Sequence, residues 1–151
     1  MHPPLYYVLL KVWREIGGDS VFWLKLFSAV VAIGAICPFY LLCRALTVRA
    51  AEINLALVLM AVNGYLIYNA QRLRMYSLLL FFTLCSLWLF VRFFNSEVGA
   101  KKPLLALFAV NLLLIGTHYY SWAVIGMELI FLLLLAEKVA QLEDLIPSSA
   151  S

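Results

Sequence analysis

Charge is what this chain has least of. Asp, Glu, Lys and Arg make up 13% of its 151 residues, about half of the roughly 25% found in soluble domains. A water-soluble globule of this length cannot cover its surface with so few ionic groups, so that class is excluded. The basic residues are scattered rather than gathered into a stripe, and the formal net charge is only +3. No nucleic-acid footprint arises from that distribution. Cysteine is also scarce. Cys37, Cys43 and Cys85 lie singly inside apolar runs, with no spacing that suggests a disulfide framework or a metal site, and read as small buried hydrophobes. No secretory signal with a cleavage site is present. The N-terminus opens abruptly on His2-Pro3-Pro4, and the chain is read as part of a longer membrane domain that begins after a first span.

What the chain does have is apolar length. Hydrophobic residues account for 66% of it, with a mean hydropathy of +0.99. The fold class expected is all-α: a polytopic transmembrane bundle of five spans over residues 1–140, with a polar tail at 141–151. Residues 5–16 are too short to cross a bilayer. Tyr6, Leu9, Leu10, Trp13 and Ile16 recur at helical spacing with Lys11, Arg14 and Glu15 between them, which predicts an amphipathic helix in the headgroup plane. Gly17-Gly18 ends it, and Asp19 or Ser20 can cap the next helix. Spans are predicted near 21–46, 52–68, 73–94, 103–116 and 122–136, since a helix needs about 20 apolar residues to cross. Pro38 should kink the first. Asn63-Gly64 falls within the short second span, Pro103 opens the fourth at a favourable first-turn position, and Glu137 and Lys138 bound the fifth.

Five crossings put Arg44, Arg49, Arg92, Lys101, Lys102 and Lys138 on one side and Lys11, Arg14, Lys25, Arg72 and Arg74 on the other, a small excess by which the positive-inside rule makes the first side cytoplasmic. Three polar-aromatic stretches then share the outer face: His2 to Tyr7, Asn69 to Tyr76, and Thr117 to Ser121. Arg72 and Arg74 offer planar forks that match phosphate oxygens, next to lipid, so an anionic head on a greasy tail suits them. Both also fit plain snorkelling to headgroups. His118 can hydrogen-bond a sugar or phosphate, although the tyrosines around it also make an ordinary interfacial belt. Glu128 is an intramembrane carboxylate, which is a functional candidate by default and equally a protonated or paired helix contact. Asn54, Asn63 and Asn111 are expected to glue helices together. Glu52 suits a helix start.

The order His2-Pro3-Pro4-Leu5-Tyr6-Tyr7, Gln71-Arg72-Leu73-Arg74-Met75-Tyr76-Ser77-Leu78 and Thr117-His118-Tyr119-Tyr120 resembles the N-terminal part of the polytopic glycosyltransferases of GT-C fold. The group most resembled is the dolichyl-phosphate-mannose-protein mannosyltransferases (glycosyltransferase family 39) and their bacterial relatives. The resemblance implies a membrane hexosyltransferase that takes a polyprenyl-phosphate sugar as donor and works on the extracytoplasmic face of the plasma or inner membrane. It implies a surface helix after the His-Pro-Pro segment, and a catalytic aspartate ahead of it, upstream of this chain. No catalytic residue is therefore assigned here, and these 151 residues alone are expected to be inactive. The substrate-binding set implied is His2, Tyr6, Gln71, Arg74, Tyr76, His118 and Tyr119, with Arg74 placed to stabilise the departing phosphate. The partners implied are the carrier lipid, the bilayer and the rest of the enzyme; a divalent metal is left open, and no other cofactor is called for. One departure stands out: the family's Gln-Glu-x-Arg-Met-Tyr reads with Arg72 in the acidic position. The rival readings are an anionic-lipid flippase and a non-catalytic membrane scaffold. Against the flippase, Leu78, Phe81, Phe82 and Cys85 offer no polar track below Arg74.

Overall fold

The computed structural model describes residues 4–72, 75–95 and 101–145, with side chains through 138. Among these residues every regular element is an α-helix: α1 (Leu5–Gly17), α2 (Val21–Gly34), α3 (Ile36–Ala45), α4 (Ala50–Ala61), α5 (Gly64–Ala70), α6 (Tyr76–Phe94), α7 (Lys101–Ile115) and α8 (Ser121–Leu145). Two compact units result, 1–121 and 122–151.

Within the first unit α6 is the hub and packs against α2, α3, α5 and α7. It buries Leu78, Leu84, Leu89 and Phe90 together with Ser77 and Ser86. The serines let neighbouring backbones approach, as small residues do between helices in lipid. The Ser86 hydroxyl donates to Asn111 Oδ1 at 2.6 Å, which ties α6 to α7. This is the bridging role expected for Asn111.

A helix forms over the stretch whose periodicity predicts one, although Ile16 of its expected apolar face is exposed. α1 buries Tyr6 and half-buries Trp13, leaving Lys11, Arg14 and Glu15 exposed. Trp13 stacks on Trp23 of α2 with centroids 4.7 Å apart. Each indole N–H donates to the other residue's backbone carbonyl, both at 2.9 Å. Each such bond contributes on the order of 1 kcal/mol, and the stack adds about as much. Gly17 is needed beneath this clasp, because a Cβ there would stand 1.9 Å from the Trp23 ring. Gly18 then turns the chain at φ +87°, a conformation that only glycine adopts without strain. Of the two capping candidates, Ser20 caps α2 by accepting from Trp23 N–H. Asp19 instead pairs with Arg14 at 3.2 Å in the open.

α2 and α3 form one run of 25 residues, long and apolar enough to cross a bilayer. Pro38 does not end it. The regular pattern loosens at Ala35, one turn earlier, where the proline ring meets the preceding turn and removes one ladder bond. α3 closes with Thr47 at φ +57°, where Val48 N–H bonds Cys43 O and Thr47 N–H bonds Arg44 O, the pattern of a Schellman cap.

α6 is also long and apolar enough to cross, and α4 with α5 qualifies only as a broken span, bent by 52°. Asn63 causes the break. It does not glue helices as expected; its side chain accepts from Tyr65 N–H and Leu66 N–H and so starts α5 afresh. Asn54 lies exposed on α4, and Glu52 is exposed in its first turn. Among the described residues, two helices or up to three therefore meet the length and apolarity needed to cross a membrane. α7 has 15 residues, short of the roughly 20 a crossing needs. Every 18-residue window of α8 contains Glu128, Glu137 and Lys138, which exceeds the charge such a window tolerates. α8 also runs through Glu137 and Lys138 to Leu145 rather than stopping at Ala136, so the tail expected from 141 begins inside a helix.

Candidate functional site

The first unit has two distinct ends. At one, the Asn95 side chain donates to Ala45 O at 3.2 Å, which joins the ends of α6 and α3 near Arg44, Arg49 and Arg92. At the other, the three polar-aromatic stretches meet. Leu5 N–H donates to Gly116 O at 3.0 Å, so the start of α1 is hydrogen-bonded to the turn after α7. The rings of Tyr76 and His118 lie 6.0 Å apart, which brings the start of α6 to the same turn.

That turn is tightly bonded. Thr117 and Ser121 are fully buried, and their hydroxyls donate to the carbonyls of Leu113 and Leu114. Apolar surroundings make such back-bonding the way these hydroxyls are satisfied. His118 is buried and stacks on Tyr120 with centroids 4.9 Å apart at 15°. Its Nδ1 accepts from Tyr120 N–H at 3.1 Å. A nitrogen that accepts carries no proton, so the neutral ring keeps its hydrogen on Nε2. Tyr119 and Tyr120 project outward and are largely exposed.

Beside this knot a cleft of about 900 Å³ opens between α2, α5 and α6, with the end of α4 at its inner part. Most of its lining is apolar. Its polar groups are Lys25, Tyr65, Asn69, Gln71, Tyr76, Ser77 and Tyr120, with Thr83 about two turns down α6. Asn69 is held in place by its amide, which donates to Tyr65 O at 2.8 Å. Among the described residues Lys25 is the one cation of the lining, and no carboxylate joins it.

The residues singled out from the sequence fall into distinct places. Gln71 and Tyr76 line the cleft. His118 does not, but its ring stacks on that of Tyr120 and lies tilted beside that of Tyr76, both of which do. Tyr119 is exposed beside it. Tyr6 is 3% exposed, sits with its ring 6.0 Å from Phe27, and does not reach the cleft. Its hydroxyl and that of buried Ser28 lack hydrogen-bond partners. Burial pushes the Tyr6 phenol above its ordinary 10.0, while the nearby Ser28 hydroxyl lowers it and Tyr7 adds to the rise. The two hydroxyls are neighbours, yet outside hydrogen-bond geometry. His2 and Arg74 lie outside the described residues.

Arg72 is exposed, with its guanidinium 4.2 Å from the centre of the Tyr68 ring. Arg44 over Tyr40 and Arg92 over Trp88 repeat the arrangement one turn after an aromatic. Cation–π contacts of this kind suit headgroup level, and Arg72 stands apart from the cleft lining. Lys25 and the small residues Ala29 and Ala32, which share its face of α2, are functional candidates that the sequence alone does not put forward. The available signal is a cation one turn into an apolar span, followed by alanines at helical spacing.

Among the described residues no three His, Cys, Asp or Glu side chains gather as a metal site. No family model, no curated protein and no solved structure matches this chain.

Proposed function

We propose that this chain is the donor-binding part of a GT-C membrane glycosyltransferase, one that crosses the bilayer five times and handles a polyprenyl-phosphate sugar on the extracytoplasmic face. The observation that carries this reading is the meeting of the three stretches at one end of the first unit, beside an apolar cleft with a polar mouth. An apolar groove under convergent polar groups is the form a small-molecule site takes. It matches a ligand with a hydrocarbon tail and a polar, anionic head. Below the mouth the described lining of α2 and α6 is apolar apart from the isolated hydroxyl of Thr83, which is no continuous polar path for a translocating headgroup and favours the transferase over a flippase. A closed scaffold has no use for an open cleft.

The reaction proposed is displacement at the sugar's anomeric carbon. An acceptor oxygen forms the new bond to that carbon, and the bond to the carrier's phosphate oxygen breaks. The acceptor's proton passes to a carboxylate base, which the resemblance places ahead of His2. The phosphate leaves with the bonding electrons, and a cation in a water-poor site stabilises it. Gln71 and Tyr76 supply hydrogen bonds to the sugar or phosphate, and His118 fixes the Tyr76 and Tyr120 rings.

The test is the contribution of the sugar to binding. In nanodiscs, a radiolabelled polyprenyl-phosphate mannose or glucose should bind more tightly than bare polyprenyl phosphate. Gln71→Ala and His118→Ala should remove about tenfold of that gain. Equal affinity for the sugar-bearing and bare lipids would overturn the transferase reading.

A further inference from the structure

We propose that α5 is a hinged wall of the cleft. Carrying Asn63 with it, the helix swings toward a hollow on its other side, and the swing widens the cleft. The motion stands on the elbow between α4 and α5; only what the cleft admits rests on the donor reading above.

Three observations carry it. First, the elbow shares little bonding. In an unbroken helix the N–H groups after the bend would donate to carbonyls four residues back. Here Tyr65 and Leu66 N–H donate to Asn63 Oδ1 at 3.0 and 3.1 Å, and Ile67 N–H donates to Asn63 O at 3.0 Å. Asn63 therefore moves with α5. Toward α4 its own N–H donates to Met60 O at a long 3.4 Å. Among the described residues no N–H of α5 reaches an α4 carbonyl. The 52° bend can thus change at the Val62–Asn63 link with the loss of that one long bond.

Second, α5 is packed against its neighbours without being tied to them. α1 is held to α2 by the reciprocal indole bonds, and α7 to α6 by Ser86 and Asn111. Among the described residues no such side-chain bond joins α5 to α2 or α6, and the Asn69 amide turns back to Tyr65 O of α5 itself. Third, there is room on both sides. Tyr65, Leu66, Ile67, Asn69 and Ala70 wall the cleft of about 900 Å³. A second hollow of about 290 Å³ lies between α3, α4 and α6, and Asn63 and Leu66 line it as well. Met60 and Leu66, one on each side of the elbow, border both spaces. A close-packed interior resists such a shift because every displacement meets atoms. Here a shift of α5 fills the smaller space and enlarges the larger, as a lid that moves on a terminal residue does.

Spin-label distances in phosphatidylcholine nanodiscs test this. Labels are placed on cysteines at positions 30 and 68, both exposed, one on each wall of the cleft, in a background with Cys37, Cys43 and Cys85 changed to serine. A second pair at 30 and 55 reports on α4, before the elbow. The 30–68 pair should show a shorter and a longer distance, and the 30–55 pair a single one. Leu59 lines the smaller hollow, is exposed, and is no part of the cleft wall. Leu59→Phe fills the space that α5 would enter and should cut the longer population about fivefold; Leu59→Ala should raise it. Added polyprenyl phosphate should draw the 30–68 pair to the shorter distance. A single 30–68 distance overturns the proposal, and so does a longer population that ignores the residue at 59. If position 59 governs the populations while polyprenyl phosphate leaves them unchanged, the hinge stands and the donor reading fails. If a sugar-dependent gain in binding persists while the 30–68 distance stays single, the reverse holds.

Discussion

Tyr6 holds the N-terminal stretch in place through its ring, and its hydroxyl works against it. The residue is almost wholly buried, and neither it nor Ser28 has a hydrogen-bond partner. A buried hydroxyl without a partner costs about 1–3 kcal/mol, so Tyr6→Phe should raise stability by about 1 kcal/mol, read as a higher midpoint of thermal unfolding in detergent. The same burial fixes a pH dependence. Because the folded state raises the phenol above 10.0, the unfolded chain gives up this proton first as pH rises. The contribution is whole below pH 10 and is lost above it. Tyr6→Phe should flatten that alkaline loss. A Tyr6→Phe protein less stable than the parent at neutral pH would show that the hydroxyl has a bonding role, and a drop in donor binding would return Tyr6 to the sugar site.

Among the elements, α5 has the largest effect on the cleft relative to its size. Its seven residues contribute Tyr65 and Asn69 to the cleft wall, and Gln71 joins them just past its end. It exists as a separate helix because Asn63 satisfies two N–H groups at its start. In lipid such groups have no water to turn to. Asn63→Ala should cost about 1 kcal/mol or more and loosen binding in the cleft, while Asn63→Ser should recover most of both. An Asn63→Ala protein with unchanged melting and lipid affinity would show that the cap does not hold α5 in place. The existence of these helices is legible in the sequence, and their interruptions are not. Period and composition suffice for α1, for the α2–α3 run and for α6, where apolar length dominates every local preference. Asn63 is ambiguous because an asparagine within an apolar run serves equally to bridge helices or to begin one, and only the backbone angle decides. Pro38 is legible as a disturbance, but its effect appears one turn earlier, where the ring meets the backbone. Lys25 is hidden by the same logic: a single lysine near a helix end reads as a snorkelling cation until the residues opposite it are known.

At the scale of the whole molecule, the first unit has one end marked by Arg44, Arg49, Arg92, Lys101 and Lys102, and another marked by the aromatic turn and the cleft mouth. In the proposed orientation the first end faces the cytoplasm, although Lys11, Arg14, Lys25 and Arg72 stand toward the other. The helix that decides the matter is α7, because it links the two ends directly and its 15 residues span only about 22 Å. A helix this short crosses when flanking residues snorkel or the bilayer thins locally, at a modest cost per ångström. Lys101 and Lys102 at its start, and tyrosines just beyond its end, are the residue types that allow this. Single cysteines at positions 101 and 119, both exposed, should therefore differ in a background with Cys37, Cys43 and Cys85 changed to serine. A membrane-impermeant maleimide added outside intact cells should label position 119 and spare position 101 until the membrane is opened. The reverse pattern would turn the molecule over and place the cleft mouth in the cytoplasm. Equal labelling of both positions would mean that α7 does not cross, and the count of crossings would fall with it.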